Sequence, residues 1–141
     1  MFINLSTISK IYTLGKNERL KSRKQIDQLF GKSNSFSLFP IRVLYLIDQP
    51  LGASLQAGFS VSTKKFKKAV DRNRIKRLLR EAYRMQKKIV LDNLQQRNKG
   101  MSVFFIYTGK ELPEYPALYT KMGEIINKLN NLLNEEVIAN S

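Results

Sequence analysis

The chain has 141 residues, 43% hydrophobic and 26% charged, which is the length and composition of one globular domain. It contains neither Cys nor His, which excludes disulfides, thiolate or imidazole catalysis, and metal sites built from those ligands. The 25 Lys and Arg residues outnumber 11 Asp and Glu residues, and the formal net charge of +14 favours a polyanionic partner. The lack of Cys and of any ~20-residue apolar run predicts a cytoplasmic protein with no membrane contact.

The first half of the chain predicts a tail, one helix and two strands. Residues 1–14 are predicted to form a flexible N-terminal tail. Apolar residues at helical spacing predict a short helix from Leu20 to Gly31. Alternating apolar residues predict strands over Pro40–Ile47 and Leu55–Ser62. The turn residues between these strands predict that they pair as an antiparallel hairpin.

The second half of the chain predicts two helices around one strand. Residues 67–95 lack Gly and Pro and predict a long helix. The nearly continuous apolar run Met101–Thr108 is typical of a strand covered on both faces. Apolar residues from Leu118 onward predict a final amphipathic helix. We therefore predict a single α+β domain over residues 15–135, with residues 136–141 as a C-terminal tail.

The most basic segment runs from Lys64 to Lys88 and contains twelve basic and two acidic residues. On a helix turning ~100° per residue, its basic and apolar residues fall on different faces. Arginine offers paired donors to phosphate oxygens, and each neutralised phosphate releases counterions, so the basic face predicts binding to a nucleic-acid backbone. The basic face holds Arg72, Asn73, Arg74, Lys76, Arg77, Arg80, Arg84, Lys87 and Lys88, and the apolar face holds Ile75, Leu78, Leu79, Ala82, Tyr83, Met85 and Ile89.

A basic helix can also be a solvated surface or a membrane-bound amphipathic helix, and both alternatives stay open. Solvated surfaces usually mix both signs of charge, and the apolar face here is needed to cover the predicted strands, so nucleic acid is preferred. RNA is favoured over DNA because no helix-turn-helix or zinc-finger spacing is present. Four aromatic residues are candidates for stacking on unpaired bases, with core packing as the alternative for each: Phe30, Phe36, Phe39 and Tyr45.

The segment Ala69–Ala82 resembles the bacterial ribonuclease P protein subunit. Its Arg72-Asn73-Arg74 matches the Arg-Asn-Arg signature of that family, and the Lys-Arg and Arg-Glu pairs that follow have the spacing of the family. The resemblance extends from about Leu14 to Leu133. Further matching segments are Glu18–Ser22, Gln28–Phe30, Arg42–Tyr45, Gly58–Ser62 and Lys99-Gly100 with the apolar run after it.

The resemblance implies a helix, three strands, a helix, a strand and a helix, in a split βαβ-like sheet with a long basic helix. This arrangement is shared with a domain of elongation factor G and with a small-subunit ribosomal protein. It further implies a protein that binds the catalytic RNA of ribonuclease P and the 5′ leader of precursor tRNA, and so assists endonucleolytic removal of the leader. The RNA would carry the Mg²⁺-dependent hydrolysis, and the protein would need no cofactor or protein partner of its own.

The resemblance also assigns roles to individual positions. It implies two groups, one facing the catalytic RNA and one lining the leader cleft. Asn73 matches an amide that lies near RNA or metal in the complex. The first group is Arg72, Asn73, Arg74, Lys76, Arg77, Arg80 and Arg84, with Lys64, Lys65 and Lys68 beside it; the second group is Phe30, Tyr45, Ser60 and Ser62.

Three positions depart from the family pattern. Ile26 replaces a common aromatic residue in the first helix, so a stacking contact is in doubt there. The loop Thr63–Lys67 has an extra residue, and Lys67 replaces a usual Gly, which predicts a changed entry to the basic helix. After the last strand a usual Arg is missing, and Lys110 is the candidate substitute.

Two rival functions stay open at the level of sequence. One is a ribosomal or similar RNA-packing protein, which would share the basic helix without a catalytic partner. The second is a metal-dependent nuclease, which would need clustered carboxylates. Five of the carboxylates, Asp27, Asp48, Asp71, Glu81 and Asp92, are scattered, and the neighbouring Glu135 and Glu136 are predicted to lie on a solvent-facing side of the last helix.

Overall fold

The computed structural model describes residue 14 and residues 18–20, 23–48 and 54–139. These residues form four helices and one four-stranded sheet, which confirms the predicted α+β class. The basic helix and a second short helix connect two parallel, neighbouring strands, as in a βαβ unit. In chain order the elements are α1 (Arg23–Lys32), β1 (Asn34–Leu38), β2 (Ile41–Asp48), β3 (Leu55–Val61), α2 (Ala69–Gln86), α3 (Lys88–Gln96), β4 (Gly100–Tyr107) and α4 (Tyr115–Ala139).

The strand order is β1-β2-β4-β3, so the predicted hairpin between β2 and β3 is wrong. The strand β4 lies between them, antiparallel to β2 and parallel to β3. The physical reason is that β4 is the most apolar strand, and a central position covers both of its faces. The antiparallel partner of β2 at its outer edge is β1, which the pattern did not show because its sequence, Asn-Ser-Phe-Ser-Leu, is half polar.

The two faces of the sheet bury different sets of residues. On the core face, Val43, Ala57 and Phe105 pack with the helices α2, α3 and α4 in the main hydrophobic core. On the opposite face, here called the α1 face, Leu44 and Phe104 pack with Leu29 of α1 in a smaller cluster. Alternate residues of β4 therefore contribute to the two hydrophobic clusters, as expected for a strand that is covered on both faces.

The predicted helix over residues 67–95 is two helices, because the chain turns at Lys87 between α2 and α3. No Gly or Pro marks this position, so the local sequence did not predict the turn. The backbone N–H of Lys87 still donates to the carbonyl oxygen of Tyr83, and the Lys87 side chain is buried against Glu18. A contact from outside the helix therefore accompanies the turn.

Within the described residues, the folded domain extends further at both ends than the predicted tails allowed. Leu14, the last residue of the predicted N-terminal tail, is buried in the main core, and residues 1–13 lie outside the described residues. At the C-terminal end, α4 continues to Ala139 and includes most of the predicted C-terminal tail. No helix of the described residues is long and apolar enough to span a membrane.

Gly58 of β3 permits the close packing of the α1 face. A Cβ atom at this position would lie 2.5 Å from Cδ2 of Phe104 and 3.5 Å from Cβ of Leu20. We expect Gly58→Ala to lower the free energy of unfolding by about 1 to 3 kcal/mol, because Phe104 must move in a packed cluster. Urea unfolding measures this change.

The control is Gly31→Ala in α1. A Cβ atom at Gly31 meets nothing within 4 Å, and replacing a helical Gly by Ala is expected to stabilise by roughly 0.5 to 1 kcal/mol. Equal effects of the two substitutions would contradict the packing described for Gly58.

Candidate nucleic-acid interface

The helix α2 turns its apolar side to the sheet and its basic side outward. Ile75, Leu79, Ala82 and Tyr83 are its buried residues, as the helical spacing predicts. We name the outward side the basic surface. Its members are Arg72, Asn73, Arg74, Lys76, Arg77, Arg80 and Arg84, of which Asn73, Arg74 and Arg77 are exposed and the rest half-buried.

Three residues of this region differ from their predicted placement. Lys87 was predicted on the basic face but is 1% exposed, because its ammonium group is paired with Glu18 inside the protein. Met85 and Ile89 were predicted on the apolar face but are 40% and 48% exposed. Lys87 lies at the turn after α2. Met85 and Ile89 lie outside the narrow part of the helical surface that contacts the sheet and α4, so both side chains stay exposed.

Arg72 holds the loop that enters α2. Its Nη1 atom donates to the carbonyl oxygens of Phe66 and Lys67 at 2.8 and 2.7 Å. This guanidinium therefore has a structural role beside its predicted RNA-binding role, and its remaining N–H groups are the donors left for phosphate. The N-cap residue Lys68 makes no side-chain capping hydrogen bond, and the hydrogen bonds of Arg72 stabilise the chain entering the helix.

Two further arginines of the basic surface are oriented by neighbours. The Cζ atom of Arg80 lies 5.7 Å from the centre of the Phe59 ring, a cation–π contact. Arg84 forms an ion pair with Glu81, in which Nη2 and Oε1 are 2.6 Å apart. The hydrogen bond from Arg84 lowers the pKa of the Glu81 carboxyl and raises that of the Arg84 guanidinium. These contacts fix the orientation of both side chains, and Arg84 directs its Nε and Nη2 atoms to the Glu81 carboxylate.

The loop before α2 extends the basic surface toward the end of the sheet. Lys64 and Lys68 are exposed, and Nζ of Lys65 donates to the carbonyl oxygen of Thr108 after β4. The loop thereby borders an open cavity of about 380 Å³. Lys110, the candidate substitute for the missing arginine, also lines it, and so do Phe39, Pro40, Tyr107, Gly109 and Glu111. Burial and the nearby Glu111 raise the pKa of the Tyr107 phenol.

The α1 face carries a second group of predicted residues. Phe30 is 55% exposed and lies edge-on to Phe104, with 5.5 Å between the ring centres. Ser60 is half-buried on the same face of β3, and the half-buried Ser62 directly follows that strand. Arg42 of β2 is exposed on this face as well. Sequence reasoning missed Arg42, although its position between apolar neighbours of β2 is the signal that could have found it.

The structure corrects the placement of Tyr45. Tyr45 pairs with Val103 of β4 on the core face, is 9% exposed, and lies 5.9 Å ring to ring from Phe36. It cannot line the same cleft as Phe30 and Ser60, because the sheet separates them. Burial, followed by Glu136 and Glu135, raises the pKa of the Tyr45 phenol. The alternation of β2 puts Tyr45 on the apolar face with Ile41 and Val43, and the resemblance alone was the ground for placing it in the cleft.

The remaining two aromatic candidates have different surroundings. Phe36 is half-buried on the core face beneath Nζ of Lys128, which is 4.6 Å from the ring centre. Phe39, in the turn between β1 and β2, is 74% exposed. Ile26, at the position where an aromatic residue was expected, is half-buried against the cluster of the α1 face, so it serves packing there.

Carboxylates do not gather around either surface. Within the described ranges of the chain, no three Asp or Glu side chains come together as a metal site. The convergence that would have favoured a metal-dependent nuclease is thus not seen in that part of the protein.

Comparisons with known proteins agree with the fold and with the motif. The family model described as Ribonuclease P matches residues 14–130. The chain is 36% identical over 123 residues to the ribonuclease P protein component of Porphyromonas gingivalis, across 84% of this chain and 87% of that relative. The RNase P protein of Thermotoga maritima has the same fold, with a TM-score of 0.63 at 23% identity over 79% of this chain and 96% of that chain. The Staphylococcus aureus RNase P protein gives a TM-score of 0.50 at 25% identity over 86% and 96% of the two chains.

The hydrogen bonds of Arg72 predict that removal of its side chain destabilises the protein. Removal of the exposed Arg77 side chain should have much less effect. We expect Arg72→Ala to lower the free energy of unfolding by about 1 to 2 kcal/mol, since two carbonyl oxygens lose a charged donor. Arg77→Ala removes the same charge from an exposed position and is expected to change stability by less than about 0.5 kcal/mol. Chemical denaturation of the two variants measures the difference, and equal losses in the free energy of unfolding would contradict the structural role of Arg72.

Proposed function

The chain belongs to the ribonuclease P protein family, and we propose that it binds the RNA subunit of ribonuclease P through its basic surface while holding the 5′ leader of precursor tRNA on its α1 face. Membership assigns it to the protein component of an endoribonuclease that processes tRNA. The observation that carries the proposed RNA contacts is the basic surface. The α1 face, with the exposed Phe30, is a second and separate surface.

The basic surface suits the backbone of a folded RNA. Its like charges repel one another in the free protein, and α2 keeps them together because its buried stripe is fixed against the sheet. The bidentate and planar guanidinium groups of Arg74 and Arg77 fit phosphate oxygens, and Arg80 and Arg84 are already oriented by their neighbours. Neutralisation of several phosphates releases counterions, so this surface supplies affinity with little need of sequence readout.

The α1 face suits a single strand. An exposed aromatic ring can stack on an unpaired base of any sequence, and the Phe30 ring is held by its contact with Phe104. Arg42 offers a cation for the backbone, and the hydroxyl groups of Ser60 and Ser62 offer donors and acceptors. The leader of precursor tRNA is a single strand, and we assign it to this face.

We assign the hydrolysis to the RNA subunit, with Mg²⁺ held by RNA phosphates, and give the protein a binding role. Bound there, magnesium would supply Lewis-acid chemistry toward the scissile phosphate and the attacking water. Asn73 is exposed between Arg72 and Arg74 on α2, and its resemblance to the amide at this position in the family is the ground on which we assign it a place near that centre in the complex. No step of the hydrolysis is assigned to a side chain of this protein.

Reconstitution tests the proposal. Cleavage of precursor tRNA at low magnesium is measured with a ribonuclease P RNA alone, with the protein alone, and with both. We expect strong cleavage at the mature 5′ end only with both components. If the protein binds several such RNAs tightly yet adds no cleavage, an RNA-packing function replaces the proposed one.

Charge reversal on the basic surface should change the salt dependence of RNA binding. Log affinity for the ribonuclease P RNA falls with log salt by about 0.7 to 0.9 for each phosphate neutralised. We expect Arg74→Glu with Arg77→Glu to reduce the magnitude of this slope by about 1.5 or more, as two exposed cations are lost. Filter binding at several salt concentrations measures the slope.

The control is Lys121→Glu with Lys128→Glu, which changes the net charge equally on α4. A smaller effect of this pair on the slope is expected, because α4 is not part of the basic surface. Equal effects would mean that net charge alone, and not the basic surface, governs binding.

Removal of the Phe30 ring should weaken binding of precursor tRNA and leave binding of mature tRNA unchanged. We expect Phe30→Ala to weaken binding of precursor tRNA to the reconstituted enzyme by roughly 1 to 3 kcal/mol, the range for loss of one base-stacking contact. Binding of mature tRNA, which has no leader, should be unchanged. Tyr119→Ala is the matched control, since Tyr119 is 40% exposed on α4. Equal weakening of both tRNAs by Phe30→Ala would indicate a packing role instead.

A further inference from the structure

Lys87 is a charged residue of the most basic segment that the fold withdraws from solvent. It is 1% exposed, at the turn between α2 and α3, and its Nζ atom lies 2.5 Å from Oε1 of Glu18. Burial of an ammonium group is unfavourable unless a counter-charge and hydrogen bonds accompany it. A lysine facing RNA would not need this arrangement, so the pair has a role inside the protein.

Glu18 belongs to a short segment that covers the edge strand of the sheet. Arg19 forms a parallel β-bridge with Ala57, and the backbone N–H of Leu20 donates to the carbonyl oxygen of Ala57 at 2.8 Å. Leu14 is buried in the main core, whereas Leu20 is buried in the cluster of the α1 face. Residues on the two sides of Glu18 thus belong to opposite faces of the sheet.

This segment leads directly to the helix that carries Phe30. The helix α1 begins at Arg23, three residues after Leu20, and Leu20 packs in the same cluster as Leu29 and Phe104. The Phe30 ring rests on Phe104. The ion pair therefore connects the C-terminal end of the basic helix with the elements that place Phe30.

We propose that Glu18 and Lys87 are positioning residues that fix the basic surface and the α1 face relative to each other, so that one protein engages the ribonuclease P RNA and the leader at once. This inference rests on the proposed function. The pair between the buried Lys87 ammonium group and the half-buried Glu18 carboxylate sets the position of residues 18–20 along β3, and these residues set where α1 lies on the sheet. Neither residue contacts RNA in this arrangement.

The test compares two affinities of the reconstituted enzyme, one for precursor tRNA and one for mature tRNA. Their ratio measures leader recognition and is unaffected by any unfolded fraction of the protein, because that fraction lowers both affinities alike. A residue with a merely structural role would change the unfolding temperature and leave this ratio as it was. We expect Glu18→Gln to lower the ratio by about fivefold, a typical coupling between two sites.

Glu124→Gln is the matched control. Glu124 forms an exposed ion pair with Lys121 on α4 at 3.0 Å, and its loss is expected to leave the ratio unchanged. If Glu18→Gln does not fold, Glu18→Asp retains the charge and withdraws the carboxylate by one methylene, and the ratio is again expected to fall. In both backgrounds, the salt slope of binding to the ribonuclease P RNA alone should remain that of the wild type, because the basic surface is intact.

A wild-type ratio well above unity that survives both Glu18 substitutions would overturn this inference and leave the proposed function standing. Equal wild-type affinities for the two tRNAs would overturn leader binding itself, and the inference with it. A double variant gives a further check, since Phe30→Ala should cost less leader affinity in the Glu18→Gln background than in the wild type. Full additivity of the two substitutions would also count against the inference.

Discussion

The double-sided burial of β4 is the constraint on which the rest of the structure depends. Its residues alternate between the main core and the cluster of the α1 face, so β4 must lie inside the sheet with helices on both sides. That position places β4 between β2 and β3. It also requires α2 on one face and α1 on the opposite one. The two candidate RNA-binding surfaces therefore lie on elements packed against opposite faces of one sheet.

The basic surface shows how a fold holds like charges together. Arg72, Arg80 and Arg84 each have a contact within the protein, to backbone carbonyls, an aromatic ring and a carboxylate respectively. These contacts reduce repulsion and limit the conformations of long side chains, which lowers the entropy lost when phosphate binds. Arg74 and Arg77 are exposed and contribute charge. The surface thus combines oriented arginines with exposed ones.

Sequence patterns could predict the elements because local periodicity reflects which side of each element is buried. The stripe of Ile75 and Leu79 and the run of β4 are strong examples. Strand order was not predictable in this way, since β2 and β3 have turn residues between them and yet pair with β4. The pairing of Tyr45 with Val103 and the burial of Lys87 beside Glu18 depend on contacts between residues distant in sequence. Periodicity within one element contains no information about such partners.

The edge of β3 links the stability of the sheet to the arrangement of the two surfaces. An exposed edge strand can pair with foreign chains, and residues 18–20 cover this one with a β-bridge and a backbone hydrogen bond. The same residues bring Glu18 to Lys87 and Leu20 to the cluster beneath α1. Protection of the edge and placement of Phe30 thus use one set of contacts. For a protein whose proposed role is to bind two RNA segments while the RNA subunit performs the reaction, relative placement of binding surfaces is the contribution that the fold can make. We therefore expect a substitution at Glu18 to act on function through geometry, even though it leaves every residue of the basic surface in place.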